Sequence, residues 1–237
     1  MQILITGHAG FVGSRLVKRL VGYPLVTIDK QLGDNLLNCQ LPRGVDTIIH
    51  LAAYASVEES WANPVKYAEN LATTMRLVNN YPDAKIIHAS SCATINPESP
   101  YGFLKMVASD YLKLFHKNYV NLVFPNLYGA DSQGKSSHLS VVDMFKGKDE
   151  VTVYGDGMTQ RDYVHVDDLV SALVLSLDWP TGEYFLGTGK LSTVLELAGN
   201  RKINFALARK EPKESVSKNT SPNWIPSINV MDYLCQK

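Results

Sequence analysis

The feature that most constrains the fold is a glycine-rich turn that directly follows the first apolar run. The run Ile3-Leu4-Ile5-Thr6 predicts a short buried strand, and Gly7-His8-Ala9-Gly10-Phe11-Val12-Gly13 predicts a turn that leads into a helix. Gly7 permits the tight bend, Gly10 lets backbone N–H groups approach a pyrophosphate, and Gly13 allows the helix to pack closely on the strand. The spacing is GxxGxxG rather than the commoner GxGxxG. The sequence therefore predicts the first unit of a dinucleotide-binding fold.

Further short apolar runs alternate with helix-forming stretches along the chain. The predicted strands are Val26-Thr27-Ile28-Asp29 and the runs over about 46–53, 85–89, 120–124 and 151–154, and a helix is predicted from Asn63-Pro64 to about Asn79. This alternation predicts an α/β fold, a Rossmann-type doubly wound parallel sheet with a small C-terminal substrate-binding lobe. We expect residues 1–125, with about 155–178, to form the Rossmann domain, and about 126–154 and 179–237 to form the lobe.

Ligands of such sheets bind at the carboxyl ends of the strands, which places the predicted cofactor site. Asp29 ends the second strand, where a carboxylate bonds the adenosine ribose and favours NAD; the adjacent Lys30 leaves NADP possible. The other expected cofactor contacts follow the strand ends or the turn: Gly7, Gly10, Phe11, Val12, Gly13, Asp34, Asn35, Leu51, Ala52, Ala53, Ala89, Ser90, Pro125 and Leu127.

Tyr101 and Lys105 are four residues apart at the head of a predicted helix, so their side chains project from one face. An ammonium near a phenol favours phenolate and lowers a pKa that is ordinarily about 10. The spacing therefore predicts a general acid/base that moves a proton on or off a sugar hydroxyl or carbonyl.

Composition excludes several other classes of function. The 23 basic and 23 acidic residues balance, which argues against nucleic acid or an anionic membrane as partner. Three widely separated cysteines without a CxxC motif predict neither a disulfide framework nor a metal site. Because no apolar run reaches the roughly 18 residues of a membrane span, and no signal-peptide pattern precedes the first strand, we expect a cytoplasmic protein.

Together these motifs resemble the extended short-chain dehydrogenase/reductase family, in particular the NAD-dependent epimerase/dehydratases that act on nucleotide sugars. The resemblance rests on the glycine turn, His50-Leu51-Ala52-Ala53, Ser90-Ser91-Cys92, Tyr101 with Lys105, Pro125-Asn126-Leu127-Tyr128-Gly129, and Gln160-Arg161-Asp162-Tyr163-Val164-His165. His50-Leu51-Ala52-Ala53 is similar to UDP-sugar 4-epimerases. Gly7-His8, Ser90-Ser91-Cys92 and Ser136-Ser137-His138 are similar to GDP-fucose synthase.

The resemblance implies that Tyr101 is the acid/base and that Lys105 holds the nicotinamide ribose. It leaves two candidates, Ser90 and Cys92, for a third catalytic group. Only eight residues separate Cys92 from Tyr101, fewer than is usual in the family. On the substrate side it implies Asn126 and His138 near the sugar, Lys146 and Arg161 near phosphates, and Tyr154 as a platform for the base.

The resemblance thus implies an NAD(P)-dependent nucleotide-sugar 4-epimerase that transfers a hydride transiently. Two alternatives stay open: an epimerase–reductase of the GDP-fucose synthase type, in which Cys92 and His138 invert carbons beside a ketone, and a non-catalytic cofactor-binding protein of the same fold. The family also implies a homodimer through the helices near 64–79 and 101–117.

Overall fold

A computed structural model describes residues 1–130, 139–208 and 216–236. Its strands are β1 (Ile3–Thr6), β2 (Leu25–Ile28), β3 (Thr47–His50), β4 (Lys85–Ser91), β5 (Tyr119–Phe124), β6 (Asn126–Tyr128), β7 (Glu150–Tyr154), β8 (Gln160–Arg161), β9 (Tyr163–His165), β10 (Gly182–Phe185), β11 (Ser192–Thr193) and β12 (Lys202–Ala206). Its α-helices are α1 (Gly13–Arg19), α2 (Val57–Ala62), α3 (Pro64–Asn80), α4 (Pro100–Phe115), α5 (Val141–Phe145), α6 (Val166–Leu175), α7 (Val194–Ala198) and α8 (Val230–Cys235).

A six-stranded sheet in the order β10-β5-β4-β3-β1-β2 forms the centre of the molecule, and all its strands are parallel. Its middle strands are buried on both faces, as a parallel sheet between helices requires. One face packs against α1 and α6 through Leu16 and Leu169, and the other against α3 and α4 through Leu77 and Leu112. The predicted doubly wound α/β fold is therefore confirmed.

The connection from β2 to β3 is short and contains only a 3₁₀ turn, Lys30–Leu32, and turns that follow it. A doubly wound dinucleotide-binding sheet ordinarily has a further strand beyond β2, in the order 3-2-1-4-5-6. Here β2 is at the edge of the sheet, and the chain returns directly from it to β3. The shortened connection leaves Asp34 and Asn35 in a loop at the carboxyl edge of the sheet.

The division into domains differs from the expected one at β10. The sequence predicts all of residues 179–237 in the substrate lobe, yet β10 pairs with β5 in the central sheet. The physical reason is burial: Trp179 and Leu186, which flank β10, pack with Val120 and Leu122 in the core beneath α6. The end of the Rossmann domain therefore lies beyond residue 178.

A smaller lobe covers the carboxyl edge of the central sheet. It contains the strand pairs β7–β12, β6–β9 and β8–β11. Its core is formed by Tyr128, Phe145, Val153 and Leu197, packed against Tyr233 of α8. Among the helices within the described ranges, none combines the length and the apolar character that crossing a membrane requires.

Candidate active site

A cleft of about 2100 Å³ separates the central sheet from the lobe. Every residue that the sequence predicted to contact the cofactor lines this cleft: Gly7, Gly10, Phe11, Val12, Gly13, Asp29, Asp34, Asn35, Leu51, Ala52, Ala53, Ala89, Ser90, Tyr101, Lys105, Pro125 and Leu127. Within the described residues, no group of three or more His, Cys, Asp and Glu side chains is arranged to hold a metal ion.

The glycine turn after β1 is packed too tightly for side chains at two of its three glycines. Gly7 has φ +77°, and a Cβ there would lie 2.6 Å from the Ala52 backbone nitrogen. A Cβ on Gly13 would lie 2.2 Å from the Gly7 carbonyl oxygen, because α1 begins directly against the turn. A Cβ on Gly10 would meet only that carbonyl, at 3.2 Å. At Gly7 and Gly13, therefore, the missing side chain allows close packing of the backbone, whereas at Gly10 it leaves open space in the cleft.

Asp29 follows β2 and its buried carboxylate borders the same cleft. The carboxylate accepts hydrogen bonds from the backbone N–H groups of Ala9, at 2.8 Å, and Gln31, at 2.9 Å. These bonds fix the carboxylate beside the glycine turn, as an acceptor suited to a ribose diol. The next residue, Lys30, also borders the cleft, but its ammonium is paired there: it lies 2.9 Å from the Glu69 carboxylate and donates to the Tyr54 hydroxyl.

Helix α4 positions Tyr101 and Lys105 at the floor of the cleft. The helix is capped by Ser99, whose hydroxyl accepts from the Gly102 N–H at 3.1 Å, and Pro100 occupies its first turn. Both side chains are buried, with 8% of Tyr101 and 4% of Lys105 exposed. The Lys105 ammonium donates to the Ala89 carbonyl at the end of β4.

The electrostatics of this pair differ from the prediction. Burial raises the pKa of Tyr101 to about 12, and a hydrogen bond with the Ser91 side chain only partly opposes it. Burial lowers the pKa of Lys105 to about 7. The predicted lowering of the phenol pKa by the lysine is thus absent, because the Lys105 ammonium bonds the backbone and both groups lose solvation.

The two candidates for the third group have different surroundings. The Ser90 hydroxyl is buried and lies 2.9 Å from the Ser109 hydroxyl of α4. The Cys92 thiol lies 3.9 Å from the Asn126 amide oxygen, and burial raises its pKa. Ser91, which the motifs did not name as a candidate, is the residue whose side-chain hydrogen bonding lowers the pKa of Tyr101 against the effect of burial. The pair Ser90-Ser91 contained this candidate in the sequence, but spacing alone does not decide which of the two hydroxyls lies nearer the phenol.

On the lobe side of the cleft, the structure places three of the five predicted substrate residues. Asn126, Tyr154 and Arg161 line the cleft, and the Arg161 charge is close enough to lower the pKa of Cys92 against the effect of burial. Lys146 does not line the cleft, because its ammonium lies 3.7 Å from the centre of the Tyr233 ring. This position does not agree with the predicted contact between Lys146 and a phosphate. His138 lies outside the described residues.

Comparison with known proteins gives a consistent result. Residues 3–186 match the model of the NAD dependent epimerase/dehydratase family. A putative UDP-glucose 4-epimerase of Methanocaldococcus jannaschii is 30% identical over 290 aligned positions, which cover 98% of this chain and 95% of that protein. The alignment is longer than the chain itself, so that relative carries insertions that this chain lacks.

Two solved structures are similar over nearly the whole chain. The UDP-glucose 4-epimerase of Thermotoga maritima with UDP-glucose has a TM-score of 0.82 at 27% identity, covering 99% of this chain and 96% of that one. The UDP-glucose 4-epimerase of Thermus thermophilus in complex with NAD has a TM-score of 0.77 at 26% identity, with the same coverage.

Proposed function

The chain belongs to the NAD dependent epimerase/dehydratase family, and we propose that it is an NAD-dependent enzyme that interconverts the C4 epimers of a UDP-linked hexose. The observation that carries the proposal is that one cleft joins the glycine turn, Tyr101 with Lys105, and Arg161. The similarity to UDP-glucose 4-epimerases over almost the whole chain supports the UDP-hexose as substrate.

The residues around the glycine turn fit NAD. The open space at Gly10 suits the diphosphate, and the buried Asp29 carboxylate suits the hydroxyls of the adenosine ribose. Since the Glu69 carboxylate pairs with the Lys30 ammonium, Lys30 is less able to offset the repulsion between Asp29 and a 2′-phosphate, which favours NAD over NADP. When bound, NAD supplies the reversible oxidation of a sugar carbon.

Tyr101 is the acid/base in this proposal. Its phenol is protonated at neutral pH, since burial raises its pKa, so it is ready to donate a proton to a sugar oxygen. To accept a proton it needs a nearby positive charge, and Lys105, one helical turn away, is the source that the chain provides. The Ser91 side chain, whose hydrogen bonding lowers the pKa of the phenol, is the third group of the proposal, where the sequence pointed to Ser90 or Cys92.

Arg161 and Tyr154 hold the nucleotide. The Arg161 guanidinium is a planar fork that can bond two phosphate oxygens, and its side chain is largely buried at the cleft. Tyr154, which is 37% exposed, offers a ring on which a base can stack. Asn126, whose amide oxygen lies 3.9 Å from the Cys92 thiol, lines the same cleft as these two residues and Tyr101 and is proposed to contact the sugar.

The test is conversion of UDP-glucose into UDP-galactose by the purified protein with NAD, followed by chromatography. Tyr101→Phe should lower the turnover by roughly 10²- to 10⁴-fold, the usual contribution of a general acid/base. The matched control is Tyr111→Phe, since Tyr111 lies on the same helix and bonds Asn79 away from the cleft. Unchanged turnover in Tyr101→Phe would refute the proposal. Net consumption of NADPH with a GDP-linked 4-keto-6-deoxy sugar would identify the epimerase–reductase instead.

We further propose that the chain forms a homodimer through α3 and α4, as the family resemblance implies. These helices pack against each other on one face of the sheet. They carry large apolar side chains that are more than half exposed: Val65 on α3, and Phe103, Leu114 and Phe115 on α4. Exposed apolar side chains grouped on neighbouring helices are characteristic of surfaces that bind another protein.

A further inference from the structure

A row of polar side chains crosses the central sheet beneath the cleft. Thr6, His50, His88, Asn121 and Glu183 occupy corresponding register positions on β1, β3, β4, β5 and β10. They lie on the face that packs against α3 and α4, where the neighbouring positions are Leu4, Ile48 and Ile86. Polar groups are costly in such a layer unless they are hydrogen-bonded. The bonds that the members of this row make therefore decide their protonation states.

The bonds on one side of His88 define the protonation of its ring. The Asn121 amide nitrogen donates to the Glu183 carboxylate at 2.7 Å, which turns the Asn121 amide oxygen towards His88. That oxygen lies 2.8 Å from His88 Nδ1. Because an amide oxygen only accepts, Nδ1 must carry the proton, and in the neutral ring Nε2 then carries a lone pair.

The lone pair of His88 Nε2 faces Lys105. The two nitrogens are 3.5 Å apart, at the long end of the hydrogen-bond range, and the second partner of the Lys105 ammonium is the Ala89 carbonyl. The three bonds are all polarised in the same sense, from the Lys105 ammonium through His88 and Asn121 to the Glu183 carboxylate. Glu183 is partly exposed and also lies 3.3 Å from the Lys113 ammonium.

We propose that His88 is a positioning residue for Lys105: the Asn121–Glu183 pair fixes its neutral Nδ1–H tautomer, so that Nε2 accepts from the ammonium and orients it in the cleft. The effect of this positioning on catalysis rests on the proposed function, in which Lys105 assists Tyr101. The geometry of the row itself does not depend on which sugar nucleotide is the substrate.

The groups that face His88 are consistent with a neutral ring. Burial, the Lys105 charge and the adjacent His50 all hold the pKa of His88 well below its ordinary value, and the Asn121 bond opposes them. His50 on β3 has its ring centre 5.6 Å away and is itself neutral, since burial lowers its pKa to about 3. Its nitrogens lie 2.7 Å from the Thr6 hydroxyl and 3.2 Å from that of Thr74, so it competes for neither His88 nitrogen.

The first test reads the tautomer directly, in the full-length protein without substrate. Long-range ¹H–¹⁵N spectra of ¹⁵N-histidine-labelled protein, assigned with His88→Gln, should show Nδ1 protonated and Nε2 unprotonated from roughly pH 6 to 8. Asn121→Leu, which removes the acceptor at Nδ1, should shift the ring towards the other tautomer. A His88 ring protonated at Nε2 in the wild-type protein would overturn the proposal.

The second test measures the pKa of Lys105 by ¹³C NMR of labelled lysine, assigned with Lys105→Met. His88→Leu removes the acceptor for the ammonium, so the pKa should fall by about one unit. His88→Gln, whose amide oxygen can take the place of Nε2, should restore it. The matched control is His116→Leu, since His116 is equally buried and bonds Ala84 far from Lys105. The control should leave the Lys105 pKa unchanged.

Glu183 is partly exposed, so Glu183→Gln should fold even if the variants of the buried His88 and Asn121 do not. Glu183→Gln keeps an acceptor for Asn121 and removes the charge, so the Lys105 pKa should fall by less than in His88→Leu. A Lys105 pKa that is the same in the wild type, His88→Leu and Glu183→Gln would overturn the inference. Because neither NMR measurement uses UDP-glucose, a failed epimerase assay would refute the proposed function and leave this inference to be judged on its own data.

Discussion

Two glycines of the same turn should respond in opposite ways to the same substitution. Gly13→Ala places a methyl group 2.2 Å from the Gly7 carbonyl oxygen and 2.6 Å from the His8 Cα. Both contacts are with backbone, which cannot rotate away, so α1 must shift from the turn. Gly10→Ala places its methyl 3.2 Å from the Gly7 carbonyl oxygen and otherwise in the open cleft. We therefore expect Gly13→Ala to affect folding and Gly10→Ala to affect cofactor binding.

The magnitudes follow from these contacts. Overpacking of this kind costs about 1–3 kcal/mol, and each kcal/mol shifts the Tm of a protein of this size by about 2–4 °C, so Gly13→Ala should lower the Tm by about 2–12 °C. For Gly10→Ala, the reduced entropy of the unfolded chain offsets the mild contact, and the Tm should stay within about 2 °C. Its methyl occupies the space proposed for the diphosphate, so NAD affinity should fall about tenfold or more.

Thermal unfolding without added cofactor and calorimetric titration with NAD measure the two effects separately. The expected pattern is a stable Gly10→Ala variant that binds NAD weakly, and a Gly13→Ala variant of reduced stability. Two results would refute the reasoning. One is Gly10→Ala with unchanged NAD affinity, which would place the diphosphate elsewhere. The other is equal losses of stability in both variants, which would contradict the distinction between a packed and an open glycine.

Three further predictions concern the cleft and the helices around it. Burial lowers the pKa of Lys105 from 10.5 to about 7, so the unfolded chain binds this proton more tightly than the folded one. The free energy of unfolding should therefore rise as the pH increases from about 7 to 10.5. Lys105→Met should flatten this rise in urea titrations. Because the proposed third group is Ser91 and not Cys92, Cys92→Ser should leave kcat within about threefold; a larger change in kcat would contradict this assignment. Sedimentation equilibrium should show a dimer that Phe103→Asp converts to monomer, and a monomeric wild type would contradict the proposed interface.

The central sheet could be predicted because each of its inner strands is a continuous apolar run. Ile3-Leu4-Ile5 and the corresponding runs in β3, β4 and β5 are typical of the strands of a parallel sheet that is covered by helices on both faces. β10 could not be predicted in the same way. Gly182-Glu183-Tyr184-Phe185 has no apolar run, and it joins the sheet through its backbone pairing with β5 and through its neighbours Trp179 and Leu186.

The position of Tyr101 and Lys105 was also predictable, since helical spacing decides which side chains share a face. The direction of the Tyr101 pKa was not. Spacing shows that an ammonium is one turn away, but only the folded structure shows that the phenol is buried and that the lysine bonds the Ala89 carbonyl. Desolvation, which depends on every element around the helix, outweighs the single pair that the sequence reveals.

The row that contains His88 has a signal in the sequence, although no single strand reveals it. Three strands each have a polar fourth residue after apolar ones, namely Thr6, His50 and His88. Read separately, Thr6 and His50 mark the ends of their strands, and His88 is a polar residue in the middle of β4. Register decides that they are adjacent, and register is a property of pairing between segments about 40 residues apart. A sheet built only for stability would carry apolar residues at these positions. The hydrogen-bonded polar groups next to Lys105 are therefore better explained by a role in positioning the Lys105 ammonium at the cleft than by a contribution to stability.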